Sequence, residues 1–169
     1  MGIITTVRVR QPAKHDLVGS DFTVAGVGAG FEGTIGLRVL GPRGRELARG
    51  SAEARGGMAG VGEFATTMTV GSPPRAGTRV TLQAFGDNPG LPEQGPAPGF
   101  DLVEVELIMF PDLRGWLLYK VERGDTLSGI VRAVRDLTRT TVRQVVAANP
   151  RITDPDRIEV GWRLRIPQT

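Results

Sequence analysis

Glu104 and Glu106 are a pair of residues whose type and spacing could support acid–base catalysis. They lie two positions apart in the alternating run DLVEVELIMF at 101–110. In a strand, such residues share one face, so the pair could act as general acid and base. Neighbouring carboxylates on a strand face more often serve solubility, and the run does not indicate the apolar pocket that would raise the pKa of a carboxyl group. We therefore predict no catalytic residues.

Composition excludes most other catalytic and metal sites. The 169 residues include no cysteine, which rules out disulfides, thiolate nucleophiles and thiolate metal sites. His15 is the only histidine, and its turn-like surroundings, AKHDLVG, lack the partners that a triad or a metal site needs. We expect His15 to be an exposed loop residue, and we expect no metal, no cofactor and no enzymatic activity.

The stretch GAGFEG at 28–33 formally satisfies the dinucleotide-binding pattern G-x-G-x-x-G. That pattern binds a pyrophosphate only where it follows a strand and opens a helix. The residues that follow here, TIGLRVLG, alternate as a strand does. We interpret the glycines as a tight turn or bulge instead.

The elements that must position these residues change character near residue 110. Before it, apolar residues alternate in short runs bounded by Gly, Pro, Asn or Asp, which is typical of an antiparallel β-sandwich. The turn GPRGR at 41–45 predicts a hairpin, and GDNPGLPEQGPAPG at 86–99 predicts a long loop. The seven predicted strands are VRVRQ (7–11), DFTVAGV (21–27), TIGLRVL (34–40), ELARGSA (46–52), EFATTMTV (63–70), RVTLQAF (79–85) and DLVEVELIMF (101–110).

After FPDLRG at 110–115 the apolar period becomes helical. Two sets at spacing i, i+3, i+4 and i+7 predict two short helices, flanked by the strand-like WLLYKVE and WRLRIP. Asp125 or Thr126 is expected to cap the first helix, Thr140 or Thr141 the second, and Pro150 to end the second. The two sets are Leu127, Ile130, Val131 and Val134, and Val142, Val145, Val146 and Asn149.

The balance of basic and acidic residues also differs between the two parts of the chain. Residues 1–111 hold ten Lys or Arg against eleven Asp or Glu, whereas residues 112–169 hold eleven against seven. A basic excess favours anionic polymers such as a cell wall or nucleic acid, but four surplus charges on a solvated helix surface are commonplace. We predict a domain at 1–111, a linker at 112–116 and a domain at 117–169, and we expect no nucleic-acid partner.

The C-terminal stretch YKVERGDTLSGIV…TTVRQVVAANPRITDPDRIEVGWRLRIP resembles the lysin motif (LysM) domain over about residues 117–168. The resemblance implies a small α+β fold in the order strand, helix, helix, strand. Between the helices, RDLTRT lacks the glycine often found in the family. The matching residues are Tyr119, Val121, Gly124, Asp125, Thr126, Leu127, Asn149, Pro150, Ile152, Asp154, Pro155, Ile158, Gly161, Leu164, Ile166 and Pro167.

LysM domains bind glycans that contain N-acetylglucosamine, so the resemblance implies a shallow groove between two loops. A glycine-containing loop at a helix start exposes N–H groups for the acetamido group, and Leu127, Pro150 and Ile152 could meet its methyl. Asp125 and Thr126 could equally be helix caps, and Asn149 a helix terminator. The implied glycan-binding residues are Gly124, Asp125, Thr126 and Leu127 on one wall, and Asn149, Pro150, Arg151 and Ile152 on the other.

Two tryptophans flank the strands of the LysM-like region. Trp116 and Trp162 could stack on sugar rings or on a partner, but packing in the core or between domains is the more common role. Trp116, beside PDLRG, is the better candidate for a domain interface.

The first half resembles the immunoglobulin-like domain of bacterial spore-germination lipoproteins over roughly residues 5–108. The resemblance implies an all-β immunoglobulin-like sandwich that accompanies envelope modules and has no chemistry of its own. It is carried by Pro12, by LVGSDFTVAGVGAGFEG (17–33) with Phe22, Val24, Gly26, Phe31, Glu32 and Gly33, and by Gly44 and Phe64.

These features predict a non-enzymatic envelope protein. Its LysM domain would bind peptidoglycan or another N-acetylglucosamine polymer, and its sandwich would bind a protein partner. The alternative is a structural joint in the baseplate of a phage-tail-like contractile injection particle. A hydrolase is the third possibility, and no acid or nucleophile site supports it.

The N-terminal sequence bears on localisation. MGIITTVRVRQPAKHD shows no signal-peptide pattern, and no stretch approaches the roughly 18 apolar residues of a membrane span. As written, we expect a cytoplasmic chain. Non-classical release to the envelope, assembly into a particle in the cytoplasm, and a trimmed signal peptide are the alternatives.

Overall fold

The computed structural model describes residues 6–57, 60–87 and 99–169. The strands are β1 (Val7–Gln11), β2 (Leu17–Val18), β3 (Asp21–Gly28), β4 (Thr34–Leu40), β5 (Glu46–Glu53), β6 (Gly62–Thr69), β7 (Thr78–Gly86), β8 (Phe100–Met109), β9 (Gly115–Lys120) and β10 (Arg163–Gln168), and the helices are α1 (Leu127–Ala133), α2 (Arg135–Thr138) and α3 (Val142–Ala148).

The first eight strands form two packed sheets. One has the order β1-β3-β6 and the other β2-β8-β7-β4-β5. Every pairing is antiparallel except that of β2 with β8, which is parallel. All seven strands predicted in this half are confirmed, and so is the two-domain fold class. The prediction missed β2, because a two-residue strand is too short to show alternation.

Alternation places one face of each sheet in the sandwich core. Val24 on β3, Leu37 on β4 and Leu82 on β7 are completely buried, and Phe64 on β6 packs in the same cluster. The polar residues between them face outward, as expected for strands buried on one side. The hydrophobic pattern therefore sets the register of each strand.

Two turns in this domain depend on glycine. The predicted hairpin at 41–45 joins β4 to β5, with Gly44 at φ 75°. GAGFEG leads from β3 through a single 3₁₀ turn into β4, and Gly33 has φ 84°. No helix follows, so the glycines form a turn, as predicted, and not a dinucleotide site.

The C-terminal residues form the predicted strand, helix, helix, strand arrangement, with one addition. β9 and β10 pair antiparallel, from Arg163 opposite Lys120 to Gln168 opposite Gly115. Helices α1 and α3 pack on this ribbon around Ile130, Val145 and Ile166, each at most 2% exposed. The short helix α2 lies within the stretch 135–140, where only a connection was expected.

Side-chain caps start both main helices. Thr126 accepts a hydrogen bond from the Gly129 backbone N–H at 3.1 Å and caps α1. Thr141 caps α3 in a full capping box with Gln144. Of the alternatives that the sequence left open, threonine is thus the cap in both cases, and α3 ends at Ala148, just before Asn149 and Pro150.

The two domains share an apolar contact. Leu17, Ile108 and Phe110 of the sandwich pack against Ala148 of α3, and all four side chains are buried. Arg165 on β10 adds polar contacts, because its guanidinium donates hydrogen bonds to the backbone carbonyls of His15 at 2.8 Å and of Ala148 at 2.6 Å. The C-terminal domain is therefore held directly against the end of the sandwich.

Two connections, at 86–99 and at 112–116, were expected to lack regular structure. The loop at 86–99 lies outside the described residues from 88 to 98. Strand β9 begins at Gly115, inside the linker expected at 112–116, and the domain boundaries stay a prediction. No helix among the described residues combines the length and apolar character needed to cross a membrane.

Candidate functional site

The corner between β9 and α1 is held by two side chains with separate roles. The Asp125 carboxylate accepts hydrogen bonds from the Glu122 backbone N–H at 2.7 Å and from the Tyr119 hydroxyl at 3.0 Å. The hydrogen bond to Asp125, with burial as the second cause, raises the pKa of Tyr119. Thr126 caps α1, and Gly124, at φ 91°, is exposed with open space beside its Cα.

The second predicted wall is organised by Asn149. This residue is 6% exposed, and its side-chain N–H₂ donates to the carbonyls of Val145 and Arg165, both at 2.7 Å. Its side-chain oxygen accepts from the Arg165 backbone N–H at 2.8 Å. With both amide protons used, Asn149 anchors the end of α3 to β10, and a glycan would find no free donor on it.

The apolar members of the predicted groove differ in exposure. Leu127 and Ile152 are 3% and 4% exposed and belong to the C-terminal core. Pro150 is only partly buried and Arg151 is exposed. The two aliphatic side chains therefore support the groove from beneath and offer little surface to a ligand.

A cleft of about 230 Å³ opens beside the first wall. Its opposite side is formed by Val142 and by Pro155, Asp156 and Ile158, and not by residues 149–152. Pro155 and Ile158 match the LysM pattern in the sequence, but the resemblance did not place them among the implied glycan-binding residues. Side-chain chemistry alone does not show which loop faces the corner, so the assignment required the tertiary structure. Asp125, Thr126, Leu127 and Ser128 line the near side.

The two tryptophans have different environments. Trp162 packs against the C-terminal core, donates a hydrogen bond to Glu159 at 3.0 Å, and carries the Arg151 guanidinium 4.3 Å above its ring. A sugar could stack on that face only if Arg151 moved. Trp116 remains 48% exposed and belongs neither to a domain core nor to the apolar contact between the domains, so the packing prediction is confirmed for Trp162 and wrong for Trp116.

The residues considered for catalysis form a polar network on the sandwich. Glu106 accepts hydrogen bonds from His15 at 2.7 Å and from Arg79 at 2.9 Å, and Glu104 accepts one from Gln83 at 2.6 Å. Burial acts to raise the pKa of Glu106, but the His15 hydrogen bond and the Arg79 charge outweigh it and leave the pKa below its ordinary value. An acid that stays ionised cannot donate a proton near neutral pH.

His15 requires a correction. It was expected to be an exposed loop residue, but its side chain is only 31% exposed and is paired with Glu106. The cause is the parallel pairing of β2 with β8, which brings the His15 backbone N–H to the Glu106 carbonyl at 2.6 Å. Among residues 6–57, 60–87 and 99–169, no three His, Asp or Glu residues converge as a metal site would require.

Comparisons with known proteins agree with both parts of this structure. Residues 119–167 match the LysM domain, which supports binding of N-acetylglucosamine-containing glycans in general. Both matched domains are binding modules and not catalytic ones. No curated protein matches the chain. Since residues 6–90, half of the chain, match the immunoglobulin-like domain of bacterial spore germination, the chain belongs to that family and carries a C-terminal LysM domain.

Proposed function

We propose that this chain is a non-enzymatic cell-envelope binding protein. Its LysM domain binds peptidoglycan in the cleft between the corner at 124–128 and the loop at 155–158. Its sandwich acts as a protein-interaction module. The observation that carries the proposal is the chemistry of this cleft, within a domain whose family supports glycan binding.

The cleft combines the groups that an acetamido sugar needs. Thr126 and Ser128 provide hydroxyls, and Asp156 provides an exposed carboxylate that can accept hydrogen bonds from sugar hydroxyls. Val142, together with the ring of Pro155, provides an apolar surface for the acetyl methyl group. The cleft thus places hydroxyl and carboxylate groups, which can fix the orientation of a ligand, beside a smaller apolar surface.

The edge strand β5 of the five-stranded sheet supports the role of the sandwich as an interaction module. Strand β5 pairs with β4 on one side only, so among the described residues its other edge carries no strand. Unpaired backbone N–H and C=O groups can add a strand from a partner. A photo-crosslinker at Arg49 should therefore capture the partner, and the same crosslinker at Asp112, away from the edge, should not.

The glycan proposal is tested by NMR titration with the uncharged tetramer of N-acetylglucosamine. We expect amide shifts at 124–128 and at 155–158. Asp156→Ala should weaken binding about fivefold, the effect of losing one exposed hydrogen bond to a charged group. Asp112→Ala, an exposed aspartate outside the cleft, is the matched control. A tetramer that leaves both segments unshifted contradicts the proposal.

A structural joint in a contractile injection particle is a second candidate. It is supported by the direct contact between the domains through Phe110, Ala148 and Arg165, since a joint must transmit orientation and a tethered binder need not. Sedimentation separates the two functions. Recovery with purified peptidoglycan favours the envelope protein, whereas recovery only in a high-molecular-weight particle favours the joint.

A further inference from the structure

A second and larger cleft lies between α1 and the stretch 135–142, and the proposed function does not use it. Its volume is about 720 Å³, and α1, α2 and the start of α3 surround it. Three arginines line it: Arg132 at the end of α1, Arg135 at the start of α2, and Arg139 directly after α2. Asp136 is the only acidic residue among the described residues that form its lining.

The three guanidinium groups are available to a ligand. Arg49 and Arg79 on the sandwich pair with carboxylates at 3.0 and 2.9 Å. Within the described parts of the chain, Arg132, Arg135 and Arg139 form no ion pair and no side-chain hydrogen bond, and all three are exposed. Uncompensated guanidinium groups around one concave surface favour anions.

Arg139 adds a conformational argument. Its φ is 51°, in the left-handed region, where a residue with a Cβ is strained and glycine is not. The position closes α2, and left-handed glycine is the common residue at such helix ends. An arginine here costs stability and adds the third positive charge to the cleft.

The arginine-lined cleft is continuous with the smaller one. Ser128 and Val142 line both, so a ligand in the smaller cleft reaches the rim of the larger across these two side chains. An anion that binds beside the arginines would then belong to the same molecule as the sugar. Chitin carries no such anion, whereas peptidoglycan carries a peptide with free carboxylates on every second sugar.

We propose that the cleft lined by Arg132, Arg135 and Arg139 binds the carboxylates of the peptidoglycan stem peptide while the smaller cleft holds the sugar. This inference rests on the proposed function and adds to it the reason why the domain would prefer one glycan over another. Guanidinium groups suit carboxylates because two N–H groups can donate to the two oxygens of one carboxylate. The domain is then selective for peptidoglycan over uncharged N-acetylglucosamine polymers.

The test compares two ligands of equal sugar length by calorimetry, one with stem peptides and one from which an amidase has removed them. We expect the ligand with peptides to bind more tightly, with a preference that falls as salt rises. Arg135→Gln and Arg139→Gln should each reduce that preference about two- to fivefold, the effect of one exposed ion pair. Both variants should leave binding of the peptide-free ligand unchanged.

Two further variants separate recognition from folding. Arg143→Gln removes an exposed arginine of α3 that does not line the cleft, and the preference should persist. Arg139→Gly relieves the left-handed backbone, so its melting temperature should be equal to or higher than that of the unmodified chain while the preference falls. A fall in both would identify Arg139 as a structural residue and contradict its role in binding.

Each remaining outcome decides whether the arginine-lined cleft binds the stem peptide. Equal affinity for the two ligands overturns this inference and leaves the proposed function intact. Failure of both ligands to bind overturns the proposed function and this inference with it. A third experiment titrates the protein with inorganic phosphate and follows its amide resonances by NMR. If phosphate shifts the resonances of residues 132–139 and the protein shows no preference for the ligand with peptides, the cleft binds anions in general and the inference is overturned.

Discussion

Replacing Arg165 with methionine tests how the two domains are held together. Methionine keeps most of the apolar stem and removes the guanidinium, which donates one hydrogen bond to His15 in the sandwich and one to Ala148 in the LysM domain. Burial is the main influence on this group and lowers the pKa of Arg165, partly offset by the charge of Asp16. The side chain is thus partly removed from water in order to make these two bonds.

The expected loss can be worked out from these contacts. A hydrogen bond to a charged group contributes about 1.5–3 kcal/mol. Two such bonds, reduced by roughly half because the side chain is only partly buried and its desolvation opposes them, leave about 1.5–3 kcal/mol in the free energy of unfolding of the LysM domain. The bond to the His15 carbonyl accounts for about half of this and is the part that couples the domains.

Tryptophan fluorescence provides a selective assay, because Trp116 and Trp162 both lie in the C-terminal domain and the sandwich has none. The urea unfolding transition that is monitored by tryptophan fluorescence should show the full expected loss of free energy in Arg165→Met. Circular dichroism, which also records the strands of the sandwich, should shift less. Arg163→Met is the matched control, since Arg163 is an exposed residue of the same strand.

The reasoning would be refuted if Arg165→Met and Arg163→Met had the same midpoint, or if neither differed from the unmodified chain by more than about 0.5 kcal/mol, the usual range for surface substitutions. Arg165→Lys refines the result. A lysine keeps the charge but does not reproduce the two-pronged geometry, so its midpoint should fall between those of the other two variants.

Three further outcomes follow from single contacts. Thr141→Ala removes the cap of α3 and should lower the free energy of unfolding by about 1 kcal/mol in the fluorescence transition, whereas Thr153→Ala, an exposed threonine in a loop, should not. Gly36→Ala places a methyl group against the Phe85 ring and should lower the sandwich melting temperature measured by calorimetry; an unchanged value would contradict that contact. Because the folded-state pKa of Glu106 is below its ordinary value of 4.5, its stabilisation is present above about pH 4.5 and lost as pH falls through the folded pKa. Glu106→Gln should therefore flatten the acid limb of stability against pH in urea titrations, and an equally steep limb would argue against this pairing.

Much of the local structure could be predicted from sequence. Alternation located seven strands of the sandwich because each buries one face along its whole length. Helical spacing located α1 and α3 for the same reason. The prediction failed where an element was too short for a period, as in β2 and α2, and where a residue's exposure depended on a distant strand, as for His15.

The candidate site, too, could be predicted from the sequence only in part. The sequence identified the corner at 124–127 and narrowed its cap to Asp125 or Thr126. Only the structure shows that Thr126 is the cap and that Asp125 holds the backbone of Glu122 and the hydroxyl of Tyr119. Both residue types can cap a helix, so their identity could not decide between them.

The sequence by itself determined the longer strands and helices, the class of each domain and the LysM corner, because these depend on residues close together in the chain. Tertiary structure decided which loop faces that corner, how three arginines come to surround one cleft, and how the domains meet. The contact between Arg165 and His15 joins residues 150 positions apart. Local periodicity carries no information about such pairs, since they form only when packing brings separate elements together.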